Sequence, residues 1–190
     1  MPEFLSLLPP NEALTRLIQS LDPHPQPEEI PAAQGLGRVL LEPVIAAHPL
    51  PAFPRSTVDG YAVRSADTFG ASESLPAYLT LAGESPMGAR PEFTVRPGEC
   101  ALIHTGGMLP EGCDAVVMVE NTQSARPGEV EILRAAAPGE NVIQVGEDVG
   151  TGEEVIPAGT RLRPPEIGGR MGLGVTPAQG APPARVGILS

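Results

Sequence analysis

The sequence predicts an α+β, β-rich protein: two intertwined subdomains, one a discontinuous α/β linker part and the other an inserted β module, behind an N-terminal amphipathic helix. Three observations lead there. Gly and Pro supply 22 and 24 of the 190 residues, dispersed rather than repeated, so elements must be short and joined by many turns. Aromatic residues are only 3% of the chain and Trp is absent, which leaves Leu, Val, Ile and Ala to build the core. Finally, short apolar runs bounded by Gly, Pro, Ser, Asn and Asp recur from Pro51 to Glu140, the spacing of a meandering sheet rather than a helical bundle.

Taken in order, Asn11–Leu21 is the clearest helix. Asn11 is a suitable N-cap, and Leu14, Leu17, Ile18 and Leu21 follow i, i+3, i+4, i+7 spacing on one face. Asp22–Pro31, with four prolines and two glutamates, reads as a linker. A short helical turn over Pro31–Gly37 leads into a strand at Val39–Ala46. Strands are then expected at Tyr61–Arg64, Ala77–Ala82, Cys100–His104, Ala115–Glu120 and Val130–Leu133. Because Ala115–Val119 is apolar without alternation, it is expected in the centre of the sheet. Short strands over Val142–Arg161, a tight turn at Pro157–Thr160, a short helix at Pro165–Leu173 and a final strand at Ala184–Ser190 complete the pattern. A fresh apolar strand at the end of the chain, with no partner following, leads to the expectation that a longer protein continues past it.

The formal net charge of −11, with no Lys at all, excludes a basic stripe for nucleic acid or an anionic membrane surface. A small anion remains compatible, since backbone N–H groups or a metal can hold it locally. Cys100 and Cys113 form neither a CxxC pair nor a zinc set with the scattered His24, His48 and His104, and read as buried or half-buried thiols in a reducing compartment. No signal peptide and no run of transmembrane length is seen, so the expectation is a cytoplasmic protein away from membranes.

Reactive chemistry must therefore come from carboxylates on loops. Pro51–Arg64 brings a Pro-punctuated approach to Ser56 and Thr57, then Asp59 and Gly60, then an apolar run. Asp59–Gly60 is either a plain hairpin turn or a carboxylate displayed at the lip of a sheet, with Ser56 and Thr57 able to bond a ligand oxygen or the carboxylate itself. Thr105–Gly106–Gly107 after an apolar strand is either an ordinary turn or a nest of N–H groups for an oxyanion, with the Thr105 hydroxyl added. His104, just before it, reads as a packed strand histidine. Gly146–Glu147–Asp148 is either a solvated turn or part of a hard-cation site, and Glu111, Asp114 and Glu120 invite the same two readings.

In order, Leu36–Leu40, Ser56–Val63, Ile103–Gly107 with Pro110–Glu120, and Gly139–Val142 with Gly146–Asp148 resemble the N-terminal half of the molybdopterin molybdenumtransferase family, the MoeA and gephyrin E-domain type. Pro157–Thr160 and Arg185–Ile188 fall where that family would put them. The resemblance runs from about Asn11 to Ser190. It departs at Arg55, where an acidic or amide residue is common, at Thr57, where a smaller residue is usual, and at Gly107, often Ala.

Such proteins insert molybdate into adenylyl-molybdopterin with release of AMP, assisted by Mg²⁺. The resemblance implies Asp59 and Asp148 as catalytic and metal-contacting carboxylates, with Glu120 a further metal contact. It implies Ser56, Thr105, Gly106 and Gly107 as substrate-binding residues. It also implies a homodimer in the full-length form, molybdopterin adenylyltransferase as a pathway partner, and an active cleft completed by a pterin-binding domain. On this basis the domains are expected as a helix and linker over 1–28, a discontinuous subdomain of 29–50 and 141–164, an inserted β module over 51–140, and the start of an α/β pterin-binding domain over 165–190. The isolated chain is expected to be inactive. The alternative is a non-catalytic dimerisation or docking scaffold.

Overall fold

The computed structural model describes residues 8–21 and 25–183. The chain forms two compact units, Met1–Val44 with Ile156–Ser190, and Ile45–Val155. The expected β-rich α+β class holds: twelve short strands accompany two α-helices among the described residues.

In the first unit, α1 spans Pro10–Leu21. Its expected apolar stripe is present, yet Leu14, Leu17, Ile18 and Leu21 are all more than half exposed and no residue of the helix is buried. The stretch read as a linker holds a strand, β1 (Glu28–Pro31), which pairs antiparallel with the last described strand, β12 (Pro177–Gly180). β1 was hidden because its two glutamates and its proline suppress the strand signal. Only Ile30 points inward, where it packs with its partner register Ala178. The helical turn expected near Pro31 is a 3₁₀ turn at Ala32–Gln34. The strand expected over Val39–Ala46 is reduced to β2 (Val44–Ile45) and single bridges at Val39 and Leu40, since Pro43 removes a ladder donor. α2 (Pro164–Gly172) is the expected short helix, and Pro157–Thr160 closes the expected turn with Gly159 at φ 82°. The strand expected at Ala184–Ser190 lies outside the described residues.

α2 and β12 belong to the first unit, in which β12 completes the ladder on β1.

The second unit contains β3 (Arg55–Ser56), β4 (Gly60–Val63), β5 (Ala77–Glu84), β6 (Glu99–Ile103), β7 (Ala115–Met118), β8 (Thr122–Arg126), β9 (Glu129–Ile132) and β10 (Val142–Ile143). β11 (Glu154–Ile156) pairs with β2. Six of these strands form one sheet in the order β7-β4-β6-β5-β9-β8. Strand alternation splits the apolar residues between two faces. Val63, Leu79, Cys100, Ala115, Val117, Val130 and Ile132 pack on one side, and Ala62, Ala101, Ile103 and Val116 join Val95 and Leu109 on the other. Burial on both faces explains why β7 reads as a continuous apolar run.

β7 is nevertheless at the edge of the sheet, not in its centre as expected. Its free edge is covered by a loop: Val116 N–H donates to Glu140 O (3.0 Å), and Asn141 Nδ2 donates to Val116 O (2.9 Å). Apolar continuity reports burial, and a covering loop supplies it as well as a second neighbouring strand does.

Candidate functional site

Asp59 sits between β3 and β4, and it is not part of a hairpin turn. β3 pairs antiparallel with β10, whereas β4 pairs with β6 and β7. Gly60 is already a strand residue, opposite both Ile103 and Met118. A Cβ at Gly60 would lie 2.0 Å from Val117 O, so glycine is required here by the close approach of β7 rather than by a turn. Asp59 O accepts Val119 N–H (3.1 Å), which pins the backbone of the carboxylate to the end of β7.

The side chain is fixed by the loop after β6. Asp59 Oδ1 accepts the Thr105 N–H at 2.7 Å and the Thr105 hydroxyl at 3.0 Å. These two donors, the N–H foremost, hold the Asp59 carboxyl below the usual aspartate range, and His104 adds to the effect. The carboxylate remains exposed, and Oδ2 makes no hydrogen bond among the described residues. One oxygen is thus held while the other faces outward.

Of the two readings of Thr105–Gly107, the loop takes the turn and not the nest. Its three N–H groups are occupied inside the protein: Thr105 on Asp59, Gly106 on Ser56 O (2.8 Å) and Gly107 on His104 O (2.8 Å). The physical reason is that the loop docks against β3, with Ser56 N–H donating to Gly107 O (3.0 Å). Gly106 takes φ 83°, and a Cβ at Gly107 would stand 2.8 Å from His104 O. Ser56 is likewise turned inward. Only 2% exposed, its hydroxyl donates to Val58 O (2.6 Å) and accepts Val58 N–H (3.2 Å). Ser56, Gly106 and Gly107 therefore shape the frame around Asp59, and Thr105 orients its carboxylate.

Asp148 reaches the same loops through Arg55. Arg55 Nη2 stands 3.4 Å from Asp148 Oδ2, and both side chains are exposed. Asp148 N–H donates to Leu50 O (3.0 Å), while Glu147 closes the turn by accepting Gln144 N–H (2.8 Å). Glu120 follows β7 in a 3₁₀ turn (Val119–Asn121), exposed and without a hydrogen bond or ion pair among the described residues. Asp114 has a structural part, accepting the Ser65 N–H (2.6 Å) and hydroxyl (2.8 Å).

His104 is not packed in the sheet as expected. Ile103 points into the core, so alternation turns His104 outward, with Nε2 3.2 Å from Glu84 Oε1 and Nδ1 3.9 Å from Asp59 Oδ1. Sequence reasoning missed His104 and Glu84 as neighbours of the site, while Arg55 entered only as a departure from the family pattern beside Asp59. The alternation of β6 was the available signal for His104; nothing in the sequence pointed to Glu84.

Among the described residues no three His, Cys, Asp or Glu side chains cluster closely enough to hold a metal ion. The two thiols are free, and burial pushes both Cys100 and Cys113 up to about 12, which keeps them protonated. A cavity of about 790 Å³ lies beside β3, lined by Phe53, Arg90, Phe93 and Met108 among others, and contains neither Asp59 nor Asp148. No described helix is long and apolar enough to cross a membrane.

Molybdopterin molybdenumtransferase 2 of Mycobacterium tuberculosis is 36% identical over 165 residues, covering 87% of this chain and 40% of the relative. The molybdopterin molybdenumtransferase of Bacillus subtilis is 34% identical over 160 residues, covering 83% of this chain and 37% of its own length. The crystal structure of a molybdopterin biosynthesis MoeA protein from Pyrococcus horikoshii superposes with a TM-score of 0.85 at 36% identity, over 93% of this chain and 46% of that one. The chain thus spans well under half the length of the relatives it matches. Residues 8–174 match the MoeA N-terminal region, domains I and II, and the chain belongs to that family.

Proposed function

We propose that this chain is the N-terminal part of a cytoplasmic, homodimeric molybdopterin molybdenumtransferase, a transferase of molybdenum cofactor biosynthesis that inserts molybdate into adenylyl-molybdopterin with release of AMP. One observation carries this reading beyond the family match: the exposed Asp59 carboxylate has one oxygen fixed by Thr105 and the other without a donor among the described residues. A carboxylate kept ionised and pre-positioned is what a nucleotide-and-metal cleft asks of its protein wall.

The donor set suits Mg²⁺. This ion takes one or two carboxylates and fills the rest of its shell with water and substrate phosphate, so a three-residue cluster is not needed. Asp59 would hold it through Oδ2, with Asp148 or Glu120 as a further contact. Bound there, the ion would neutralise charge on the phosphoryl group during AMP release. Thr105 keeps the Asp59 carboxylate ionised and aimed. Molybdopterin adenylyltransferase, which would supply the adenylylated substrate, is the matching pathway partner.

The test is AMP release from adenylyl-molybdopterin with molybdate by the full-length protein. Asp59→Asn should lower turnover by at least about 100-fold; an Asp59→Asn enzyme as fast as the parent overturns the reading. The 190 residues taken alone should show no turnover. A second reading, a dimerisation or docking scaffold without catalysis, draws on the uncovered Leu14, Leu17, Ile18 and Leu21 face of α1. It would be favoured if full-length Asp59→Asn retained activity in cells while substitutions on that face abolished it.

A further inference from the structure

Four features of the second unit bear on how an oxyanion could approach Asp59. First, the chain carries a net charge of −11 and no Lys, and the site displays Asp59 and Asp148 on loops and Glu84 at the end of β5. A doubly charged oxyanion meets repulsion there unless a cation stands in its way. Second, the N–H groups of Thr105, Gly106 and Gly107, which could have formed an anion nest, are all occupied by protein acceptors.

Third, Arg55 is the one arginine within 4 Å of Asp59, Glu84 or Asp148 among the described residues. It belongs to β3, whose next residue, Ser56, accepts the Gly106 N–H of the loop that holds Asp59. The register of β3 against β10 places Arg55 opposite Ile143. Burial alternates along β3, Ser56 inward and Arg55 partly exposed. Fourth, the Arg55 guanidinium is weakly held. Its single contact to Asp148 is 3.4 Å long, beyond the 2.7–2.9 Å of a good charged pair, and its Nε and Nη1 make no hydrogen bond among the described residues.

We propose that Arg55 is an oxyanion-binding residue of this site, and that Asp148 holds its guanidinium until a tetrahedral oxyanion displaces the carboxylate. The inference rests on the molybdenumtransferase reading for its setting but concerns binding alone. The planar fork of Arg55 can offer two parallel N–H donors to such a group, which a lysine or a single backbone N–H cannot. Asp148 is then a competitor for the cation as well as a carboxylate of the site, and the Arg55–Asp148 pair is exchangeable by design of its geometry. Two sources share this chemistry: a free oxyanion such as molybdate, and the phosphoryl group of an adenylate.

The experiment is an NMR titration of the 190-residue chain, following the Arg55 side-chain Nε–H resonance and the Asp148 amide at constant ionic strength. Sodium molybdate, sodium sulfate and AMP are added separately, with chloride as the monovalent control. Saturable shifts of both resonances are expected with at least one of the three. Arg55→Gln should weaken that binding about tenfold or more, and Arg55→Lys by less, because charge is kept and the fork is lost. Asp148→Asn should tighten it several-fold by removing the competitor.

Shifts with molybdate and sulfate, but not AMP, identify a free oxyanion as the ligand; shifts with AMP alone identify a phosphoryl group. The proposal is overturned if none of the three shifts Arg55, if chloride does so equally, or if binding survives unchanged in Arg55→Gln. None of these readouts requires turnover. Loss of the proposed activity would therefore leave the binding result standing, and the reverse also holds.

Discussion

Two carboxylates of the second unit, Asp59 and Asp148, were expected to act alike, and the structure treats them in opposite ways. Asp59 is held by a backbone N–H and a hydroxyl at 2.7 and 3.0 Å, and its own carbonyl is tied to β7. Asp148 has its backbone anchored but leaves its carboxylate to one 3.4 Å contact with an exposed arginine. The first is positioned by the backbone and the second by one long contact to a side chain. A carboxylate can thus be rigid or adjustable according to whether a backbone donor or a long side chain holds it.

The sharpest way to break the contrast is to move the frame that fixes Asp59. Gly60→Ala places a Cβ against Val117 O, where only the separation of β4 from β7 can relieve it. A destabilisation of about 3 kcal/mol is expected in urea unfolding, with loss of the Asp59–Thr105 contact. An unchanged midpoint would mean that the two strands are not locked as described.

A gentler change acts on the carboxylate itself. Thr105→Val removes the hydroxyl donor and keeps the N–H, so the Asp59 pKa should rise part of the way toward its ordinary 3.8. The sign follows from the folded state holding Asp59 more acidic than the unfolded chain does. This contribution to stability is fully present above about pH 3.8 and is lost as pH falls through the lower folded-state pKa. An Asp59 titration that ignores Thr105→Val, followed by carboxyl NMR, would show that the hydroxyl is a bystander.

The smallest effect is expected on the other side of the comparison. Arg55→Gln breaks the exposed pair with Asp148 and should change stability by no more than about 0.5 kcal/mol. A loss several times larger would mean that Arg55 is structural, and that the Asp148 side is as rigid as the Asp59 side.

Much of the fold was legible because its signal is local. The i, i+3, i+4, i+7 stripe of Leu14, Leu17, Ile18 and Leu21 marks α1, and the turn residues between apolar runs mark β4, β5, β6, β7 and β9. What failed depended on partners far along the chain. β1 exists because β12 returns to it from residue 177, and no window around Glu28 contains that information. Ala115–Met118 announces burial on both faces, but whether a strand or the loop at Glu140–Asn141 covers its edge is a long-range question. In the site, Asp59 and Thr105 were both singled out, although their hydrogen bond joins residues 46 positions apart. Ser56, read as able to bond a ligand oxygen or the carboxylate itself, turns its hydroxyl onto Val58, since alternation along β3 turns it inward.

The sequence by itself determined the class, the helix, most strand positions and the dependence of any chemistry on loop carboxylates, because composition, periodicity and turn residues are properties of short stretches. Only the tertiary structure decided that Gly60 is a packing glycine and not a hairpin turn. It also decided that the Thr105–Gly107 amides are already occupied, and that Arg55 pairs with Asp148. Each of those facts is a distance between residues remote in sequence, and such distances are set by strand register and loop docking, which no local pattern encodes.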